Sequence, residues 1–266
     1  MSGLDLAGRS VLLTGATGGI GGATARALAA RGAVVTVTGR RADPLEALAA
    51  EIGGRAIVAD LATDEGPERL VAEAGDVDVL VANAGLSQSG ELTALPPAEV
   101  DRLIALNLRA PVMLARLLGA PMAARGSGHI VFVSSLQGKT AGPYSALYTA
   151  TKYGLRGFSL ALRLDMADHG VGVSCVFPGF VGDAGMFADS GAPLPSGVRT
   201  VTAAAVAAAI VRAVERDRAE VDAAPLELRV GARAAGAAPV LAAAVNKRFG
   251  ATIARAMEGA QRKRAG

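Results

Sequence analysis

The sequence predicts an α/β fold: a Rossmann-type, doubly wound, mainly parallel sheet with helices on both faces. Three observations carry that prediction. Short runs of Val, Leu and Ile alternate with longer alanine-rich stretches, the rhythm of successive βαβ units. The apolar runs suit strands buried on both faces. The first of them passes directly into a glycine cluster and then a helix, the strand-turn-helix context of a dinucleotide site.

Composition narrows the possibilities. A chain of 266 residues fits one large α/β domain with a substantial core. Hydrophobic residues make up 51% and aromatics only 3%, with no tryptophan, so Ala, Val, Leu and Ile must build that core. A lone cysteine, Cys175, cannot form an internal disulfide, and its apolar surroundings mark it as a core residue. With no charged-then-apolar leader, a cytoplasmic location is expected. The net charge of +3 is modest and its excess gathers near the C-terminus, which argues against a nucleic-acid partner. No run reaches the roughly 18 charge-free apolar residues of a spanning helix.

Strands are expected near 10–14, 33–38, 55–59, 78–82, 129–134 and 171–177, with helices filling most of the gaps. No repeat or linker precedes residue 185. Residues 1–225 therefore read as a dinucleotide-binding catalytic domain, including a substrate lid near 183–200, and 226–266 as a basic helical extension of that domain.

The first strand runs into Gly15-Ala16-Thr17-Gly18-Gly19-Ile20-Gly21. Glycines there allow positive φ and close approach of a pyrophosphate, while the following helix N-terminus, in a helix read through Arg31, supplies N–H donors and partial positive charge. The second strand ends at Gly39-Arg40-Arg41, where many dinucleotide folds carry an acid for the adenosine ribose. Arg40 and Arg41 instead offer planar, permanently charged forks for a 2′-phosphate, which favours NADP(H) over NAD(H). Asp43-Pro44-Leu45-Glu46 reads as N-cap, first-turn proline and capping-box glutamate.

Asp60-Leu61 closes the third strand at the edge where ligands bind; Asp60 has the chemistry either to accept from an adenine amine or to cap the next helix. Asn83-Ala84-Gly85 closes the fourth strand, its small residues letting a cofactor lie close and its amide able to pin neighbouring backbone. Asn107 sits in an apolar helical run, where an amide requires a partner, either a kinked backbone carbonyl or a water. The fifth strand delivers Ser134 and Ser135 to the same edge. His129 starts that strand at the opposite edge and is expected at the surface; His169 falls in a helix-ending turn. A Ser-His-Asp triad is therefore disfavoured, and no His/Cys cluster suggests a metal.

Tyr148 and Lys152, four apart on one helix, address the same small volume. A cation beside a phenol favours the phenolate and brings its proton closer to the neutral range.

Taken together, Thr14-Gly15-x-x-x-Gly19-Ile20-Gly21, Asp60-Leu61, Asn83-Ala84-Gly85, Asn107, Ser135, Tyr148-x-x-x-Lys152 and Pro178-Gly179 resemble, in order, the classical short-chain dehydrogenase/reductase family over roughly residues 8–222. The resemblance implies Tyr148 as general acid/base, Ser135 as donor to the substrate oxygen, and Lys152 as holder of the nicotinamide ribose that also lowers the Tyr148 pKa. It further implies that Asn107 fixes a water in a proton relay, that Pro178, Gly179 and Val181 border the cofactor, and that subunits form a homodimer or homotetramer. One departure stands out: four residues beyond Gly179 the family places threonine, and this chain has Asp183, an acceptor whose charge would fall near the nicotinamide.

The segment 183–200 is Gly/Pro-rich, and Met186, Phe187 and Leu194 would give it an apolar lining suited to a hydrophobic alcohol or ketone. A helix near 202–216 and a strand near 219–222 follow. The extension has helical spacing with Arg229, Arg233, Lys247, Arg248, Arg255, Arg262, Lys263 and Arg264 interleaved; packing or subunit contact is favoured over peripheral membrane contact, because its small alanines bury little area. The expected activity is interconversion of a secondary alcohol and a ketone or aldehyde. The rival reading is a dinucleotide sensor or scaffold that kept the fold and lost catalysis; an epimerase or dehydratase would need a larger substrate domain.

Overall fold

The computed structural model describes residues 3–190, 198–240 and 242–244. Seven strands form one parallel sheet: β1 (Ser10–Thr14), β2 (Val34–Gly39), β3 (Arg55–Val58), β4 (Val79–Ala82), β5 (Gly128–Val133), β6 (Val171–Pro178) and β7 (Glu220–Ala223). Their order across the sheet is 3-2-1-4-5-6-7, and every neighbouring pair is parallel. The order of winding reverses between β1 and β4, which opens a crevice at the carboxyl ends of those parallel strands. Each expected strand is present, with its ends displaced by one residue at most.

Helices cover both faces. On one side α1 (Gly19–Ala29), α2 (Ala42–Ile52) and α8 (Ala203–Glu215) pack Leu28, Leu45, Val206 and Ile210 against Val11, Val35 and Val176. On the other, α3 (Gly66–Ala74), α5 (Ala110–Ala124) and α6 (Ala146–Met166) bring Leu70, Leu114, Leu118 and Leu155 onto Leu80, Ile130 and Phe132. β5 and β6 are buried along their whole length, which is why their residues lack alternation. Cys175 is buried in this second layer, as the sequence indicated.

Helix α4 (Pro97–Ile104) runs into α5 through a widened turn of π-helix at Ala105–Arg109. The resulting apolar helix, Pro97–Ala124, has the length and composition to cross a bilayer, with half of its most apolar window buried in the domain. Helix α9 (Leu226–Ala237) is the described beginning of the extension; Lys247, Arg248, Arg255, Arg262, Lys263 and Arg264 lie outside the described residues, as does Leu194.

Two local expectations change. Helix α2 starts at Ala42 after Arg41, without a side-chain cap, so Asp43 is a first-turn acid favoured by the helix dipole and not an N-cap. His129 is 2% exposed and not at the surface: α5, α6 and the turn after α8 close over the lower edge of the sheet. Its Nε2 lies 2.8 Å from Ser174 Oγ, and burial pushes its pKa down to about 4. Nearby, Arg163 grips Asp217 through both guanidinium Nη atoms, each at 2.7 Å. His169 does lie in the helix-ending turn, before Gly170 at φ 67°.

A histidine kept neutral when folded costs stability once the unfolded chain binds its proton. As pH falls from the ordinary value of 6.5 towards 4, wild type should lose roughly 3 kcal/mol more than His129→Asn, at about 1.4 kcal/mol per unit. Parallel urea titrations between pH 7 and 4 check this, and equal losses would refute it.

Candidate active site

A cleft of about 620 Å³ follows the carboxyl edge of the sheet. Gly15 at the end of β1 has φ 67°, and a β-carbon there would lie 2.7 Å from Ala84 Cα. Gly21 faces Gly15 O, where a β-carbon would approach to 2.2 Å. Only glycine lets these backbones meet. The N-cap of α1, Gly18, brings no side chain to its free N–H groups, so they remain available to an anion.

Asn83 fastens this turn: its Nδ2 donates to Thr14 O at 3.0 Å and to Gly15 O at 3.2 Å. Thr14 Oγ1 in return accepts from the N–H groups of Asn83 and Ala84, both at 3.0 Å. The Thr14 hydroxyl is thus a structural partner that sequence reasoning gave no separate role. Thr17, Gly19, Ile20, Arg40, Arg41, Asp60, Leu61 and Gly85 all border the cleft, Gly85 on the side of Lys152, whose Nζ a β-carbon there would approach to 3.6 Å. Arg41 Nη2 donates to Thr17 O at 3.1 Å, joining the end of β2 to the glycine turn. Thr38 Oγ1, on the same lining, is buried with no hydrogen-bond partner among the described residues.

Asp60 does not cap the next helix, α3, whose N-cap position is Glu65, and it serves the turn before that helix instead. Oδ1 accepts from Ala62 N at 3.0 Å and Oδ2 pairs with Arg102 at 3.0 Å. Those contacts hold the carboxyl below its usual value against the opposing effect of burial.

At the other end, Ser135, Tyr148 and Lys152 share the cleft with Pro178, Gly179 and Val181. Lys152 is buried, its Nζ donates to Val133 O at 3.1 Å, and burial pushes its pKa down to about 8. Burial raises the Tyr148 pKa, and the lowering influence is the Ser135 hydroxyl. The expected lowering by Lys152 is not seen: its ammonium stands 5.6 Å from the ring centroid and is turned onto a carbonyl.

Asn107 stands one layer behind the cleft lining. Its Oδ1 accepts from Leu86 N at 2.8 Å, and its Nδ2 donates to Leu86 O at 2.9 Å and Thr151 Oγ1 at 3.4 Å. It occupies the π-helical turn, which lets an amide leave the helix face and clamp the strand-end loop. The partner is backbone, as one of its two expected options.

Asp183 is not aimed at the nicotinamide end. Its Oδ1 accepts from Ala203 N at 2.9 Å, placing its charge at the positive end of α8, where Thr202 Oγ1 also caps Ala205 N at 3.1 Å. The two roots of the lid are joined by a bridge between Val181 and Val201. Met186 and Phe187 border the cleft from α7 (Met186–Ser190), with the Phe187 ring 4.8 Å from that of Phe180. Gln88 and Gln137 also line the substrate end; they escaped the sequence reading because neither belongs to a recognisable spacing.

This geometry agrees with relationships to known proteins. Residues 9–194 match the short chain dehydrogenase family. The chain belongs to the short-chain dehydrogenase/reductase family of oxidoreductases. Ketoacyl reductase HetN from Nostoc sp. is 36% identical over 225 residues, 81% of this chain and 78% of that protein. Nodulation protein G from Rhizobium sp. is 40% identical, covering 68% of this chain and 76% of its relative. A metagenomic short-chain oxidoreductase solved with NADP superposes with a TM-score of 0.68 at 33% identity, covering 82% of this chain and 96% of that one. Members act on CH–OH or carbonyl groups, and this chain is an enzyme of that kind.

Removing the Asn107 amide should leave the Leu86 N–H and C=O unpaired. Asn107→Ala is expected to destabilise the protein by about 1–3 kcal/mol, read from urea unfolding; an unchanged midpoint would show that the clamp is dispensable.

Proposed function

We propose that the protein is an NADP(H)-preferring oxidoreductase that interconverts a secondary alcohol and a ketone or aldehyde, with Tyr148 as general acid/base. The observation that carries this reading is the meeting of Ser135, Tyr148 and Lys152 at one end of a cleft whose other end holds Arg40 and Arg41.

The lining fits a phosphorylated dinucleotide. The glycine turn borders the cleft beside the N–H groups that open α1, which suit a pyrophosphate. Arg40 and Arg41 offer guanidinium forks to a 2′-phosphate, with the unpartnered Thr38 hydroxyl beside them. NADP or NADPH in two solved relatives supports the same choice. When bound, a reduced nicotinamide supplies the hydride.

The chain's own groups manage the oxygen. As negative charge grows on a carbonyl oxygen, Tyr148 donates its phenolic proton, a contribution of about 10²–10⁴-fold. Ser135 provides a second donor to that oxygen. Lys152, with a pKa of about 8, is mainly charged at neutral pH and sits one helical turn from Tyr148 to hold ribose hydroxyls. Asn107, through Leu86, keeps the loop beneath the substrate in place.

Met186, Phe187 and Phe180 make the substrate end apolar, which favours a carbonyl attached to a hydrophobic chain. The names of HetN and of the 3-oxoacyl-[acyl-carrier-protein] reductase of Rickettsia bellii, 34% identical over 67% of this chain, point the same way. A dinucleotide sensor would have no need of the three catalytic groups together.

Tyr148→Phe should lower turnover by about 10²–10⁴-fold while NADPH still binds, followed as NADPH oxidation at 340 nm with a panel of ketones. Full turnover by the variant would end the mechanism; binding without turnover by wild type on any carbonyl would favour the sensor. Arg40→Ala should weaken NADPH by about 10–100-fold, since a charged hydrogen bond contributes about 1.5–3 kcal/mol, and leave NADH nearly unchanged. Equal weakening of both coenzymes would remove Arg40 from the phosphate site.

A further inference from the structure

Among the described residues, Asn83, Gln88 and Gln137 bring side-chain amides to the cleft lining. Two of them spend their N–H donors on backbone. Asn83 Nδ2 donates to Thr14 O and Gly15 O, and Gln88 Nε2 donates to Gly90 O at 2.9 Å and Tyr144 O at 3.4 Å. Gln137 differs: its Oε1 accepts from Thr149 Oγ1 at 3.0 Å, while its Nε2 has no hydrogen-bond partner among the described residues.

This amide stands beside the reacting groups and is oriented in advance. Gln137 follows Ser135 by two residues, and its backbone N–H donates to Ser135 Oγ at 3.2 Å. Thr149, which holds the amide oxygen, directly follows Tyr148 in the chain. Thr149 Oγ1 also lies 3.4 Å from Ser145 Oγ, which donates to Gly142 O at 3.0 Å. One atom of the amide is thus fixed to α6, and the other keeps its donors on a half-buried side chain of the cleft wall.

Phe180, Met186 and Phe187 border the same cleft, so an apolar substrate filling it displaces water from the Gln137 N–H groups. A substrate with an acceptor oxygen there restores the hydrogen bond; one without it leaves the donors unmatched. Among the described lining residues Lys152 is the one cation at this end, and its Nζ is turned onto Val133 O. A neutral amide without a guanidinium fork beside it suits a neutral oxygen better than a carboxylate.

We infer that Gln137 is a specificity-determining residue whose Nε2 donates to a second, neutral acceptor oxygen of the substrate, the carbonyl of an ester, thioester or amide carried on the same chain as the reacting ketone. The inference rests on the reading of the cleft as a carbonyl-reducing site.

Matched probes test it: ethyl esters of oxo acids in which none, one or two carbons separate the ketone from the ester carbonyl, the corresponding free oxo acids, and alkyl ketones of equal length. Isothermal titration calorimetry against protein saturated with NADP+, which has no hydride to give a ketone, reads binding; NADPH oxidation reads turnover. For the best-spaced ester, wild type should bind about tenfold or more tighter than the equal-length ketone, the effect of one hydrogen bond made or left unmade, and kcat/KM should follow. Gln137→Met should bring the ester-to-ketone ratio close to one. Gln137→Glu keeps an oxygen for Thr149 but, ionised, has no donor, so it should lose the preference as well. A general loosening of the site weakens both probes and leaves their ratio unchanged. A wild-type ratio near one, an unchanged ratio in Gln137→Met, or a Gln137→Glu variant that keeps the wild-type ratio overturns the assignment, and tighter binding of a free acid than of its ester overturns the neutral class. The binding preference without NADPH oxidation on any probe would uphold the role of Gln137 and remove the reductase reading instead.

Discussion

The candidate active site depends on how α6 is fixed to the end of β5. Lys152 Nζ donates to Val133 O at 3.1 Å, and Ser134 Oγ returns a bond to Lys152 O at 3.1 Å. One residue of the helix is thereby held from both its side chain and its backbone, by Val133 at the end of β5 and by Ser134 just after it. The next residue of that strand end is Ser135, and the preceding turn of that helix carries Tyr148. Gly138 completes the junction, because a β-carbon there would stand 2.7 Å from Ser134 Oγ and 2.8 Å from Lys152 O. Ser135, Tyr148 and Lys152 owe their mutual placement to this joint.

A buried lysine is expensive unless its charge is partnered, and here the partner is a carbonyl at a strand terminus. The result is an ammonium whose pKa falls to about 8 and a phenol whose pKa burial raises. Lys152 is buried and Tyr148 is half-buried on the cleft wall, a setting in which charges interact more strongly than in bulk water. The same logic runs along the sheet edge. Thr14, Asn83 and Asn107 spend their polar atoms mainly on backbone, tying the glycine turn to the loop after β4 and that loop to the π-helical turn. None of these bonds touches a substrate, yet each decides where a loop that does so will lie.

The lower edge of the sheet shows the opposite use of polar groups. His129, Ser174, Asp217 and Arg163 gather there in a sealed network far from the cleft. The combination has the residue types of a hydrolytic triad without access to substrate, and its consequence is confined to stability.

The sequence by itself determined the strand-helix rhythm, the glycine turn, the arginines after β2 and the four-residue step from Tyr148 to Lys152. These are local: a period, a φ requirement, a charge at a strand end or a helical turn is written in neighbouring residues. Tertiary structure alone decided what distant groups do to one another. His129 looked like a surface residue because its strand position was legible and the layer over it was not. Asp183 looked like a neighbour of the cofactor from its place after Gly179, but a helix starting twenty residues later takes its carboxylate. The Lys152 ammonium turns to a carbonyl nineteen residues earlier in the chain. Arg229 and Arg233 read as a basic helical face until β7 set a single shared carboxylate opposite them. Long-range partners decide burial and pairing, and pairing fixes the charge that chemistry uses.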